Sequence, residues 1–102
     1  MKEVTPDLVD ELKERLHISH GSEDNNLERL LSSSVAYVKS RCGSFDIQSE
    51  KENDILAKEL VFERTRYAYN DSLEFFEDNF LSQIQGLSLS LLPVAEVGVL
   101  DD

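Results

Sequence analysis

Basic side chains are scarce in this sequence. Its 102 residues hold ten Lys and Arg against twenty-one Asp and Glu, a formal net charge of −11 at neutral pH. A face that reads DNA or RNA, or that docks on an anionic membrane, needs cations to engage phosphate, so the composition argues against both. The shortage is uneven. Residues 1–42 carry eight acids and six bases, residues 43–102 carry thirteen acids and four bases, and no Lys or Arg follows Arg66. Cysteine is nearly absent. Cys42 stands alone, which excludes an intrachain disulfide and a cysteine-based zinc site and fits a reducing cytosol. No apolar run approaches the roughly 20 residues that span a bilayer. Lys2 and Glu3 lead into no apolar signal core, which argues against secretion. Proline occurs only at Pro6 and Pro93, and three of the four glycines, Gly21, Gly43 and Gly86, lie between them. The length and the 40% hydrophobic fraction predict one domain with its own core.

What is present is helical periodicity. Thr5 is a good N-cap and Pro6 suits the first helical position, where a missing N–H costs nothing. Leu8, Leu12 and Leu16 follow at steps of four, with Val9 beside them, and the helix ends near His17. A second helix is expected from Ser22 or Asp24, either of which can cap. Its stripe is Leu27, Leu30, Leu31, Ser34, Val35, Val38 and Cys42, and Gly43 follows as its C-terminal cap. Phe45 and Ile47 are expected to tuck under the bundle from a short loop. A third helix from about Glu50 to Tyr69 is apolar on more than one side (Ile55, Leu56, Ala57, Leu60, Val61, Phe62), which marks it as the central helix. Asn70-Asp71-Ser72 interrupts the pattern, and Asp71 with Glu74 resembles a capping pair that starts a fourth helix; the alternative is that the long third helix continues through residues 71–85. Leu73, Phe76, Phe80, Leu81, Ile84 and Leu87 continue the stripe until Gly86, a candidate stop. Leu87-Ser88-Leu89-Ser90-Leu91 then alternates with period two, a strand signal. The expected fold is all-α: a bundle of three to four helices over residues 1–87 and an extended C-terminal tail over 88–102.

Catalytic chemistry is poorly represented. No Gly-rich phosphate loop, Gly-x-Ser-x-Gly elbow or Walker-type motif occurs. His17 and His20 lie near Glu23 and Asp24, but a polar interhelix loop explains them. Cys42 falls on an apolar stripe, as a small core residue does. No enzyme activity, metal or other cofactor is expected. Two features ask for more. Phe62, Arg64, Arg66, Tyr67 and Tyr69 combine arginine with aromatics, the residue types that anchor interfaces, and suggest a subunit or partner contact. The alternative is that Arg64 and Arg66 pair with Glu63, Glu59 or an acid of another helix. The second feature is the tail. Leu89, Leu91, Leu92, Val94, Val97, Val99 and Leu100 suit an extended segment that adds a strand to a partner's sheet; the alternative is a C-terminal strand or helical turn that folds back on the same bundle.

Taken in order, these pieces resemble a known family. Thr5-Pro6-Asp7-Leu8-Val9-Asp10-Glu11-Leu12 runs through Leu16 into His17-Ile18-Ser19-His20. The acidic Ser22-Glu23-Asp24-Asn25 precedes Leu27, Leu30 and Leu31, Ala36-Tyr37-Val38 leads to Cys42-Gly43, and Phe62 to Asn70 forms an aromatic-Arg-Asn stretch. Over roughly residues 5–85 this arrangement resembles the head–tail connector (adaptor) proteins of long-tailed double-stranded DNA phages. The resemblance implies a non-enzymatic virion protein of the neck, made in the host cytoplasm. About a dozen copies would form a ring below the portal protein, extend the DNA channel and offer a lower surface to a stopper or tail-completion protein. The tail residues named above would dock on the portal. DNA would pass through without specific binding, and an acidic wall suits that passage. Mutual repulsion at −11 per subunit implies a monomer in isolation. Two other readings compete: an acidic protein-binding module, such as a homodimer using Phe62, Tyr69, Phe76 and Phe80, or a DNA mimic that inhibits a nucleic-acid enzyme.

Overall fold

The computed structural model describes residues 3–92, and among them the secondary structure is entirely helical. Four α-helices follow one another: α1 (Pro6–Leu16), α2 (Asp24–Cys42), α3 (Glu52–Tyr69) and α4 (Phe76–Ser90), with a 3-10 turn, Leu73–Phe75, before the last. The all-α bundle expected from periodicity is the fold.

Helix α1 begins as its sequence dictates. The Thr5 hydroxyl accepts a hydrogen bond from the Leu8 amide at 3.3 Å, and Pro6 occupies the first turn. Val4 and Val9 hold the two positions of a hydrophobic staple, and both are buried. The helix ends without glycine. His17 takes the left-handed conformation (φ 59°), the His17 amide donates to Glu14 O and the Ile18 amide to Lys13 O. This double bond is the Schellman closure. Helix α3 ends the same way on Asp71 (φ 56°), with the Asp71 amide on Ala68 O and the Ser72 amide on Tyr67 O. The expected break at residues 70–72 is therefore present, but Asp71 closes α3 instead of capping α4. Ser22 does not cap α2 either. Its hydroxyl meets His20 Nδ1 at 2.7 Å, and Glu23 stands at the cap position without a side-chain bond.

Helix α2 buries Leu27, Leu31, Ser34, Val35, Val38 and Cys42, nearly the whole stripe read from the sequence. It packs against α1, α3 and α4 alike, so α2 takes the central place expected for α3. Helix α3 buries Ala57, Leu60, Val61, Phe62 and Thr65, while Ile55 and Leu56 on its first turns are exposed. Phe45 and Ile47 tuck beneath the bundle as expected. Thr65, wholly buried, satisfies its hydroxyl on Val61 O at 2.8 Å.

The period-two signal at Leu87–Leu91 is overridden. Residues 88–90 belong to α4, and the Leu91 amide still donates to Leu87 O. Ile84, Leu87 and Leu91 recur at steps of three and four and pack on the core, whereas Leu89 is left outside. Burial on one helical face outweighs alternation in so short a run. The extended segment expected from residue 88 thus does not begin there. Val94, Val97, Val99 and Leu100 lie outside the described residues.

Two glycines take opposite roles. Gly43 ends α2 with φ 121° and ψ −177°, a region essentially closed to side chains, and Leu91 Cβ lies 3.4 Å from where its own Cβ would be. Gly86, the candidate stop, sits inside α4, and a Cβ there would meet nothing within 4 Å. Gly43→Ala is expected to destabilise the fold by about 1–3 kcal/mol. Gly86→Ala is expected to stabilise it by up to about 1 kcal/mol, because only helix propensity changes. Urea unfolding of the two variants checks the opposite signs.

Candidate functional site

The arginine–aromatic group does not form one surface. Phe62 is 1% exposed. The Arg15 guanidinium lies over its ring at 4.5 Å and the Lys58 ammonium at 5.7 Å, so two cations lid a core residue. Phe62 is therefore unavailable to a partner, contrary to the expectation that it helps form an interface. Arg66 pairs with Glu63 at 2.6 Å and lies 5.2 Å from the Tyr67 ring centre. Tyr69 donates to Glu23 at 2.7 Å, tying the end of α3 to the start of α2. Tyr67 packs edge-on against Phe76 and Phe80 and accepts a hydrogen bond from Asn79 at 3.0 Å. Among the described residues no carboxylate pairs with Arg64. It donates to Ser34 Oγ at 3.1 Å and stacks on Tyr37 at 4.4 Å, and burial holds its pKa below the usual arginine range.

The other cations are mostly spent on joining helices. Lys13 reaches Asp24 at 3.0 Å, serving by charge a carboxylate oxygen that is buried without a hydrogen bond. Arg15 grips both oxygens of Glu59, at 3.1 and 2.6 Å. Lys39 meets Glu3, Arg41 meets Glu77 and Lys58 meets Glu11. With Arg66–Glu63, six of the nine Lys and Arg among the described residues are in ion pairs. Each such pair on the surface contributes little to stability, on the order of 0–1 kcal/mol. Their consequence for function is larger: they leave the acidic excess facing solvent with few free cations among the described residues.

Nothing among the described residues assembles a metal site, since no three His, Cys, Asp or Glu converge. His17 closes a helix and His20 bonds Ser22. Cys42 is buried, its Sγ is 3.6 Å from Ile84 O, and burial pushes the thiol pKa up. Among the described residues no helix is long and apolar enough to cross a membrane.

The surface that does stand out lies between α3 and α4. A groove of about 440 Å³ runs there, with Leu56 and Leu60 on one wall and Phe80 and Leu87 on the other. Glu59 and Glu63 line it, each already bound to an arginine. At one end stands Ser90, whose carbonyl accepts from Asn53 of α3. Sequence patterning did not single out this groove. Its signal was the second apolar side of α3, which was read as burial. Further exposed apolar side chains are Leu73 and Phe75 of the 3-10 turn, Leu81 of α4, and Leu89 (70% exposed) and Leu92 of the tail set. Leu91, the third described tail residue, packs inward on the core.

Three of the protons that this fold holds more tightly than an unfolded chain does belong to phenol and thiol groups. Burial, then the hydrogen bond to Glu77, raises the Tyr37 phenol above its ordinary 10.0. The bond to Glu23, then burial, raises Tyr69, and burial raises Cys42 above 9.0. A raised pKa contributes stability that is complete below the unfolded value and is lost as pH rises through the folded one. Stability is therefore expected to decline from about pH 9 upward. Thermal melts across that range check this, and Tyr37→Phe is expected to flatten the decline. A profile unchanged by Tyr37→Phe would remove Tyr37 as a cause.

No family model, curated protein or solved structure matches the chain.

Proposed function

We propose that this protein is a structural connector of the virion neck in a long-tailed double-stranded DNA phage, forming a ring between the portal and the stopper or tail-completion protein. One observation carries the reading furthest. Four cations tie helices to one another and the acidic excess faces solvent, while Ile55 and Leu56 of α3, Phe75 of the 3-10 turn, and Leu81 and Leu89 of α4 stand exposed. Such a surface repels passing DNA phosphates and makes its contacts through apolar groups. The sequence resemblance over roughly residues 5–85 supplies the neck as the place, and the apolar tail supplies the segment that docks on the portal.

A stop codon early in the gene, within the producing phage, tests it. Electron microscopy of the induced lysate is expected to find separate capsids and finished free tails. Normal infectious particles would overturn the neck assignment and bring forward an acidic inhibitor of a nucleic-acid enzyme. The isolated protein is expected to sediment as a monomer at micromolar concentration, and a stable ring at low salt without portal would contradict that. Removing residues 93–102 is expected to leave helical content unchanged and to abolish portal docking.

A further inference from the structure

We infer that the groove between α3 and α4 is a seat for this chain's own C-terminal segment, Pro93–Asp102, in the free protein. The inference does not rest on the neck reading.

The seat and the segment begin at the same place. Ser90 stands at one end of the groove, and the described chain leaves α4 two residues later, at Leu92. From Ser90 back to Phe80 the helix rises about 15 Å. Ten extended residues span up to about 33 Å, so a reversal at Pro93 leaves ample reach. Pro93 cannot continue α4 without losing a backbone bond, which favours a turn at that point.

The chemistry of the two surfaces agrees. In an extended segment Ala95, Val97 and Val99 fall on one face, an apolar row for a groove walled by Leu56, Leu60, Phe80 and Leu87. The segment is acidic, with Glu96, Asp101 and Asp102, and would be repelled by bare carboxylates. The groove's own carboxylates are not bare. Arg15 holds Glu59 and Arg66 holds Glu63, each at 2.6 Å. The neutralised rim accepts an acidic strand, and the two partly exposed arginines lie ready to share its charge. Gly86 leaves open space in the wall, where a Cβ would meet nothing within 4 Å.

Tethering sets the occupant. A segment joined directly to its seat acts at millimolar effective concentration, about a thousandfold above a second copy at micromolar concentration. A partner that binds the segment more tightly must first draw it out of the groove, so the free form is held in reserve until that partner is met.

Disulfide trapping on a Cys42→Ala background tests this. The Gln83→Cys, Val97→Cys pair places one thiol in the groove wall and one on the segment's apolar row. The control pair, Gln85→Cys with Val97→Cys, is nearer in sequence, but its α4 thiol lies about 200° around the helix. Under mild oxidation the groove pair is expected to form a monomeric crosslink at least about tenfold faster than the control, unchanged on dilution. Leu56→Glu, at an exposed position, is expected to cut that advantage to the control level. Equal rates for both pairs, or no effect of Leu56→Glu, would overturn the proposal. So would a crosslink found only in concentration-dependent dimers, since that seats the segment in a second copy. The oxidation is read on purified protein, so its failure is separate from any failure of the stop-codon test.

Discussion

The variant Phe62→Ala is expected to lose about 3–5 kcal/mol of stability. The ring is 1% exposed in the middle of α3, among Ala57, Leu60, Val61 and Thr65, which are buried with it. Truncation removes its apolar burial and leaves a cavity that the helix backbone cannot collapse to fill. It also removes the surface on which the Arg15 and Lys58 side chains rest. Against a total stability of about 5–15 kcal/mol for a domain of this size, the loss brings the fold close to its threshold. A lowered urea midpoint with an unchanged slope is the expected reading. Arg66→Ala should move the midpoint by less than about 0.5 kcal/mol, because it breaks only a solvated ion pair and a ring contact within one helix. If Phe62→Ala instead kept its stability and lost only self-association, the ring would be an interface residue.

Phe76→Ala is expected to cost a similar 3–5 kcal/mol or so, while Phe75→Ala next to it should stay within about 0.5 kcal/mol. Phe76 is 2% exposed and Phe75 58%. Phe76 stacks on Phe80 at 4.9 Å and meets Tyr67 and Tyr37 edge-on at 5.7 and 6.1 Å, so one ring joins α4 to both α3 and α2. Each such ring pair is worth roughly 0.5–1.5 kcal/mol beyond its buried area. Because Tyr37 also donates to Glu77, the alkaline decline in stability should become shallower in Phe76→Ala as Tyr37 is freed. Thermal melts of the two neighbouring variants decide the matter, and equal losses would contradict the orientation of α4.

The two helices with a single apolar stripe were legible from spacing alone. In α1, Thr5, Pro6, Leu8 and Leu12 carried their own start and their own face, and in α2 the steps from Leu27 to Cys42 did the same. Helix α3 was harder because its apolar residues surround it. Spacing could not tell that Phe62 points inward while Ile55 and Leu56 line the outside. The closures on His17 and Asp71 carry no glycine, so the usual mark of a left-handed end is missing. Gly86 carries that mark and is an ordinary helical residue. The candidate site was the least legible part. The groove joins residues about thirty apart in sequence, and its charge balance depends on Arg15 crossing from α1 to Glu59.

The solitary thiol has a consequence in time as well as in space. Cys42 lies where α2 meets α4, closed over by Ile84, with its pKa raised by burial. A thiol reagent in solution is expected to reach it when α4 lifts away from α2. The labelling rate of the unmodified protein is then the rate for a free cysteine multiplied by the fraction of molecules open at that instant. The chain thus carries its own clock for the detachment of its last helix, and anything that clamps α4 in place slows it.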